Sequence, residues 1–370
     1  MDIGNPLKFR SAQVKLDFNN VLIIPRRSDV CSRRDVDLNR SFTFVRPRQH
    51  AQHWKGVPII SSNMDTVTGI ESFDVLRRHN FLSCFPKHLN EAWTKTPDAA
   101  LQHTDNYMLS CGTGEDDFKT MVDLLETLRK NDIRPKFLCV DVANGYISHL
   151  KDVCKEFRRA YPDLVLAAGN VVTPEGVEDL VKSGASIVKV GIGSSGVCET
   201  RLKAGVGYPQ LSAVLECAPV AHRMGANIIS DGGVVYPADI SKAFVAGADF
   251  VMMGSMFAGH TESPGEVLLD PATKKWYKAF YGMASKVAAD KYSGGLRDYR
   301  TSEGKAVKVP YKGTLQHTIQ DIEGSVRSAC TYTNARNLVE LCENGQFALV
   351  SETHNKAFTA EVIYRVGHFV

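Results

Sequence analysis

The feature that most constrains this chain is a rhythm between residues 57 and 255. Short apolar runs at 57–60, 81–85, 107–111, 137–142, 164–168, 186–190, 227–230 and 250–253 alternate with stretches of helical character. The runs are continuous and rich in β-branched residues, as strands buried on both faces are. Several of the stretches between them carry helix signals. At 118–130, Phe118, Met121, Leu125 and Leu128 share one face, with Asp116 and Asp117 at the start and Arg129 and Lys130 at the end, which agrees with the helix dipole. At 174–182, Thr173 stands as N-cap, Pro174 opens the helix and Gly184 follows it. Further helices are expected at 70–79, 147–161, 210–223 and 237–246. Eight strand–helix units in about 200 residues is the pattern of an α/β chain closed into a (β/α)8 TIM barrel. An open doubly wound sheet is the alternative. Residues 1–56 read as an irregular N-terminal arm, with a strand or short hairpin at 16–24, before a barrel domain over 57–370. Residues 276–325 break the rhythm with turn glycines and mixed charge. A stretch of that length suggests a functional flap.

In a barrel of this kind the site lies at the C-terminal ends of the strands. The polar and glycine residues collect there: Asn63-Met-Asp65, Asp141, Asn144-Gly145, Gly169-Asn170, Asp231-Gly-Gly233 and Gly254-Ser255. The sixth run leads into Gly191-Ile-Gly-Ser-Ser-Gly-Val-Cys198. A glycine loop lets backbone approach a ligand and expose N–H groups, and a thiol at its end is a candidate nucleophile. The loop also spells Gly-x-Gly-x-x-Gly. A dinucleotide fingerprint, however, opens a helix at once in the first strand–helix unit, whereas Gly205, Gly207 and Pro209 keep this segment irregular to about residue 210. Asp231-Gly-Gly233 reads equally as a turn or as a carboxylate for ribose hydroxyls beside N–H groups for a phosphate.

Composition narrows the function classes. With a net charge of +3, no long basic run and no basic patch spaced by aromatics, nothing points to nucleic acid. The basic cluster Arg26, Arg27, Arg33, Arg34 reads as a solvated loop. Nine scattered cysteines, with no Cys-x-x-Cys, suit reduced thiols in a cytoplasmic protein. No signal-peptide core or membrane-length apolar run appears, and Gly367-His-Phe-Val370 is no address signal of a known kind. His260-Thr-Glu262 lacks the Pro-Cys-x-x-Cys that a zinc deaminase needs. His50 and His53 read as exposed, and Glu303 as a solvated residue unless the flap closes over the barrel mouth.

Longer strings carry a resemblance. Leu16-Asp-Phe18, Ser62-Asn-Met-Asp-Thr-Val67, Asp141-Val-Ala-Asn-Gly145, Ala168-Gly-Asn-Val-Val172, Lys189-Val-Gly-Ile-Gly193 and Val197-Cys-x-Thr-Arg201 form the first part. Gly205-Val-Gly-Tyr-Pro-Gln-Leu-Ser-Ala-Val214, Ile229-Ser-Asp-Gly-Gly233, Ala258-Gly-His260 and Tyr281-Gly-Met283 complete it. Over nearly its whole length the chain resembles the family shared by IMP dehydrogenases and GMP reductases. The dehydrogenases usually carry an inserted regulatory domain between the strands ending near Asn63 and Asp141. That interval is already filled by strand–helix units here, and 258–263 and 299–304 are more similar to the reductase branch.

The resemblance implies NADPH-dependent reductive deamination of GMP to IMP in purine salvage, with ammonia released. By it Cys198 attacks carbon 2 of the guanine to form a thioimidate, while Thr200 and Glu303 relay protons. It implies GMP contacts at Asp231, Gly232, Gly233, Gly254, Ser255, Gly282, Met283, Ala284, Arg300 and Gly304. It implies NADPH contacts at Lys87, Asp141, Val142, Ala143, Asn170, Ile192, Gly193, Met283 and Tyr299. Ser32, Arg33, Ser328, Ala329, Cys330 and Thr331 match positions reaching the cofactor of a neighbouring subunit, which implies a homotetramer. Carbonyls of Gly193, Ser195, Cys198 and Arg201 match a potassium site. Within the family an insert-free IMP dehydrogenase, or a non-catalytic GMP-binding relative, are the alternatives.

Three departures stand out. The family's Gly-Ile-Gly-Pro-Gly-Ser loop is Gly191-Ile-Gly-Ser-Ser-Gly196 here, so the serine whose hydroxyl would donate to the phosphate becomes Gly196 and a potassium-ligating glycine becomes Ser195. Glu199 puts a carboxylate beside Cys198, which opposes thiolate formation unless it points away. Gly254-Ser255 replaces a glycine pair.

Overall fold

The computed structural model describes residues 13–45, 50–292, 294–298 and 301–351. Eight parallel strands close into a barrel: Ile59–Ser61, Leu82–Cys84, Tyr107–Cys111, Phe137–Asp141, Val165–Val171, Ile187–Val190, Asn227–Asp231 and Phe250–Met253. They pair in chain order, and the ring shuts where the eighth meets the first, Val251 opposite Ile59 and Met252 opposite Ile60. Closure rules out the open sheet. Helices fill the connections. Pro174–Lys182 begins as its sequence requires, with Thr173 Oγ1 accepting from the Gly176 N–H at 3.3 Å. The helix expected from 118 starts a turn earlier, at Glu115, so that Glu115, Asp116 and Asp117 all lie in its first turn.

Strand residues alternate between two faces, and this parity builds the site. Ile60, Met108, Cys139, Ile187, Ile229 and Met252 point into one buried cluster inside the barrel. Their neighbours Ile59, Leu109, Val188, Ile228 and Val251 face the core shared with the helices. Two residues beyond the inward apolar positions come Ser62, Asp141, Lys189, Asp231 and Gly254. The barrel interior therefore changes from apolar to polar at its C-terminal end.

The described part of the N-terminal arm contains regular structure that its composition does not suggest. Arg40–Phe44 pairs antiparallel with Gln52–Gly56, and this hairpin puts Phe42, Phe44 and Trp54 into the interior cluster. Phe42 stacks on Phe250 at 4.5 Å, and Trp54 meets Phe137 edge-on at 6.3 Å. Arg40 donates to the buried Asp249 at 2.9 Å, which also lies 2.7 Å from His222 Nε2. Within 16–24 the strand is Val21–Ile23, and its partner is Phe347–Leu349 rather than a second arm of its own.

The expected flap region is also partly regular. Trp276–Tyr281 pairs with Leu268–Leu269 and with Ala306–Pro310, Lys286–Tyr292 is a helix, and Leu315–Tyr332 packs on the barrel. Among the described residues the irregular part reduces to 282–285, 294–298, 301–305 and 311–314. All nine cysteines are free thiols. No helix among the described residues is long and apolar enough to cross a membrane.

Candidate active site

The cysteine loop leaves the sixth strand under tight packing. A Cβ on Gly191 would lie 2.2 Å from the Asp231 carbonyl. Gly193 takes φ +75, and a Cβ there would lie 2.6 Å from Arg201 Cγ, so only glycine fits both the backbone and the space. The loop then runs to Val197 and Cys198 and into the short helix Thr200–Lys203. Asp17 braces it from the arm. Its carboxylate accepts from the Gln210 N–H at 2.6 Å and from Arg201 at 3.1 Å, which accounts for the Leu16-Asp-Phe18 string.

Cys198 Sγ donates to Thr200 Oγ1 at 3.2 Å, and Thr200 Oγ1 donates to Glu303 Oε2 at 2.7 Å. Thiol, hydroxyl and carboxylate thus form one series, with each donor aimed toward Glu303. The flap residue is held by backbone as well. The Glu199 N–H donates to Glu303 O at 2.6 Å, Lys305 N–H to Val197 O at 3.0 Å, and Cys198 and Gly304 form an antiparallel bridge. Gly282 sits against both segments: a Cβ would lie 3.1 Å from Val197 O and 3.3 Å from Gly304 Cα. Glu303 is therefore no solvated loop residue. Glu199 is half-buried and does not cap the helix that follows it.

Beside this series a buried lysine gathers two half-buried carboxylates. Lys189 Nζ, with its side chain 2% exposed, donates to Asp141 Oδ1 at 2.7 Å and lies 3.3 Å from Asp231 Oδ2. Burial opposes its charge, but the two carboxylates outweigh that and hold its pKa well above the ordinary lysine value. Burial likewise pushes Asp141 up, and Lys189 with the Asn63 amide outweighs it, leaving the carboxyl below its usual range. Asn170 Nδ2 donates to Asp231 Oδ2 at 2.8 Å and to Gly191 O at 2.7 Å. In sequence Lys189 lies within an apolar run. Its parity with Ile187 was the signal that it points inward.

The glycine pair differs from expectation in one respect. The Gly232 N–H donates to Met252 O at 3.1 Å, so it is engaged in the sheet rather than turned to an anion. Ser194 Oγ donates to Asp231 O at 3.1 Å and stands 2.9 Å from where a Gly232 Cβ would be. A Cβ on Gly196 would meet nothing within 4 Å. Ser255 is exposed, and its carbonyl accepts from Lys312 Nζ at 2.8 Å. Desolvation lowers Lys312 to about 8. This cation beside Gly254-Ser255 was not anticipated.

Other candidates flank the series or lie away from it. Lys87 pairs with Asp117 at 2.8 Å. Val142 and Ala143 border the mouth beside Asn170, where the Val142 N–H donates to Gly169 O. Ile192 packs against the core, while Met283 and Ala284 are exposed. Ser32, Arg33 and Thr331 line an open groove of about 550 Å³, and Ser328 and Ala329 a second of about 470 Å³; neither groove includes the cysteine loop. Cys330 is fully buried, so its thiol faces the core. Tyr299 and Arg300 lie outside the described residues. Both ring nitrogens of the buried His260 face carbonyls, of Gly313 and Met256. Among the described residues no group of three or more His, Cys, Asp or Glu is placed to hold a metal.

Fold and site together define a (β/α)8-barrel protein with a thiol, a hydroxyl and a flap carboxylate in series at its mouth. The IMP dehydrogenase / GMP reductase domain model matches residues 15–357, and the chain belongs to that family. It is 47% identical to human GMP reductase 1 across 94% of this chain and 99% of that protein. It is 48% identical to human GMP reductase 2, with 94% and 97% covered. GMP reductase of Vibrio vulnificus is 47% identical, with 94% and 98% covered.

Proposed function

We propose that this chain is an enzyme that converts GMP to IMP and ammonia at the expense of NADPH, in cytoplasmic purine nucleotide interconversion. The observation that carries the reading is the series Cys198 Sγ, Thr200 Oγ1, Glu303 Oε2, at 3.2 and 2.7 Å. The family and the GMP reductase relatives support it.

In this reading the thiol proton passes through Thr200 to Glu303, and the sulfur attacks carbon 2 of the guanine. The same carboxylic acid returns the proton to the exocyclic amino group, because ammonia departs far more readily than amide ion. One C–S bond forms, one C–N bond breaks, and a thioimidate on Cys198 remains. NADPH, when bound, supplies the hydride. Carbon 2 accepts it, the C–S bond breaks with its electron pair on sulfur, and the thiol recovers a proton. Asp231 serves the ribose, and Gly233, Gly254, Ser255 and the flap positions Gly282, Met283, Ala284 and Gly304 serve the rest of the nucleotide.

The residues present fit the cofactor. Asn170 Oδ1 is a buried acceptor with no partner among the described residues, and the Lys87 ammonium is half exposed. They also fit potassium. The proposed donors at Gly193, Ser195, Cys198 and Arg201 are neutral carbonyls, suited to a large monovalent cation, and the Arg201 guanidinium is turned away to Asp17 and to Tyr208 O. The grooves at Ser32–Arg33 and Ser328–Thr331 would serve the cofactor of a neighbouring copy in a homotetramer.

The test is NADPH absorbance followed in potassium buffer with GMP. Loss that requires GMP and yields IMP and ammonia is expected. A flat trace with GMP, followed by NAD reduction on adding IMP, would replace this reading with the dehydrogenase. Silence in both directions, with GMP still bound, would leave a non-catalytic relative. Glu303→Gln is expected to slow ammonia release by about 10²- to 10⁴-fold, with a smaller effect on hydride transfer in single-turnover traces. Equal loss in both steps would argue against the relay.

In this reading Ser194, whose Oγ lies over the Gly232 backbone, takes the place of the hydroxyl missing at Gly196. Ser194→Ala is expected to raise KM for GMP about fivefold, the worth of one hydrogen bond of about 1 kcal/mol, and to leave kcat near wild type. An unchanged KM would remove Ser194 from the phosphate contacts.

A further inference from the structure

The most heavily engaged carboxylate at the barrel mouth belongs to none of the groups assigned above. Asp65 follows the first barrel strand in a rigid turn, where the Val67 and Thr68 N–H groups both donate to Met64 O at 3.0 Å. It is 6% exposed. Its Oδ2 accepts from Tyr281 OH at 2.6 Å, from Lys291 Nζ at 3.0 Å and from Tyr292 OH. Every one of these donors belongs to the flap region. Burial raises the Asp65 pKa, but the three donors outweigh it, so the carboxyl stays below its ordinary value. A buried charge is costly unless it is well paired, and here the whole compensation comes from one segment more than two hundred positions downstream.

That segment leads to the catalytic series. Tyr281 ends one flap strand, and Lys291 and Tyr292 end the helix that begins at Lys286. The residues between those two anchors hold the Glu303 backbone. The Gly282 N–H donates to Lys305 O at 3.2 Å, the Glu303 N–H to Ala284 O at 3.2 Å, and the Lys286 N–H to Ser302 Oγ at 3.1 Å. His88 supports the arrangement from the barrel side by stacking on Tyr292 at 4.7 Å. The path from Asp65 to Thr200 therefore runs through described contacts at every step.

We propose that Asp65 is a positioning residue that anchors the 281–292 segment to the barrel mouth and through it sets Glu303 against Thr200. Its consequence for turnover rests on the reductase reading; the anchoring itself does not. Asp65 touches no member of the catalytic series. It fixes both ends of the segment on which Glu303 is hung, and so fixes where that carboxylate sits.

The experiment is a double-mutant cycle with a physical readout beside it. In the full-length protein Asp65→Asn should lower kcat by about tenfold to a hundredfold, the scale of a misplaced catalytic group, while KM for GMP changes by less than about threefold. In the Glu303→Gln background the same change should cost almost nothing further, because the group it positions is already gone. Equal losses in the two backgrounds, or no loss in either, would overturn the proposal. Tyr292→Phe removes one donor from a half-exposed site and keeps the ring, so it covers the case in which Asp65→Asn does not fold. It should give a smaller loss with the same non-additivity. Trypsin cleavage after the exposed Arg297 should accelerate severalfold in both variants. If wild type proves inactive with GMP, the reductase reading fails and the cleavage rate alone decides the anchor: acceleration supports it, and an unchanged rate overturns it.

Discussion

Cys198→Ala is expected to abolish GMP-dependent NADPH oxidation, a loss of about 10⁴-fold or more, as when a covalent nucleophile is removed from a unit that works together. The thiol is half-buried on a loop, and its side-chain partner is the Thr200 hydroxyl. Loss of one sulfur there should leave the melting temperature within a few degrees of wild type. Asp231, the carboxylate proposed for the ribose, and the glycine turns remain, so GMP should still bind. Quenched wild-type enzyme should carry a nucleotide adduct by mass spectrometry, and the variant none. Turnover within about tenfold of wild type would remove the nucleophile assignment and with it the thioimidate.

Lys189→Met is expected to be the most destabilising single change near the site. Methionine fills a similar volume, but it leaves the Asp141 and Asp231 carboxylates facing each other without the cation that Lys189 puts 2.7 and 3.3 Å from them. Breaking a buried pair by removing one partner costs about 3–5 kcal/mol. The pH dependence should change sign. In wild type Asp141 lies below its unfolded value, so its contribution is present above about pH 4 and is lost as pH falls through the folded value. In the variant the largest charge offsetting burial is gone, only the Asn63 amide and the Lys87 charge still act against it, and the carboxyl is expected to rise. The variant should then lose stability as pH rises above about 4, and should be relatively steadier at pH 5.5 than at pH 8. Urea midpoints at the two pH values measure this. A midpoint near wild type with the same pH slope would mean that the two carboxylates are relieved some other way.

How much of this was legible depended on distance along the chain. The barrel strands are apolar runs whose neighbours in space are the next runs in order, so the rhythm from 57 to 255 reads almost directly as a closed sheet. Arg40–Phe44 was passed over because its two inward aromatics alternate with polar residues, and the strand they cap is not adjacent in sequence. Lys189 hid inside an apolar run, although strand parity with Ile187 gave its direction. Glu303 is chemically an ordinary flap glutamate until Thr200, 103 positions earlier, is brought beside it. Asp65 lies within a string that carries the family resemblance, yet its side-chain partners lie on elements more than two hundred positions later in the chain. The glycine turn was half legible: its position was clear, but the engagement of the Gly232 N–H with Met252 follows from the register between two strands.

The aromatic hairpin under the barrel has a bearing on traffic. Phe42, Phe44 and Trp54 close the floor, so the barrel is a cup with one rim. In the proposed reaction ammonia forms while the nucleotide is still bonded to Cys198, above that floor and under the flap. It has to leave past the same edge by which the nucleotide entered, before the nucleotide itself is released. The order in which products escape is then set by the shape of the vessel as well as by the chemistry at carbon 2.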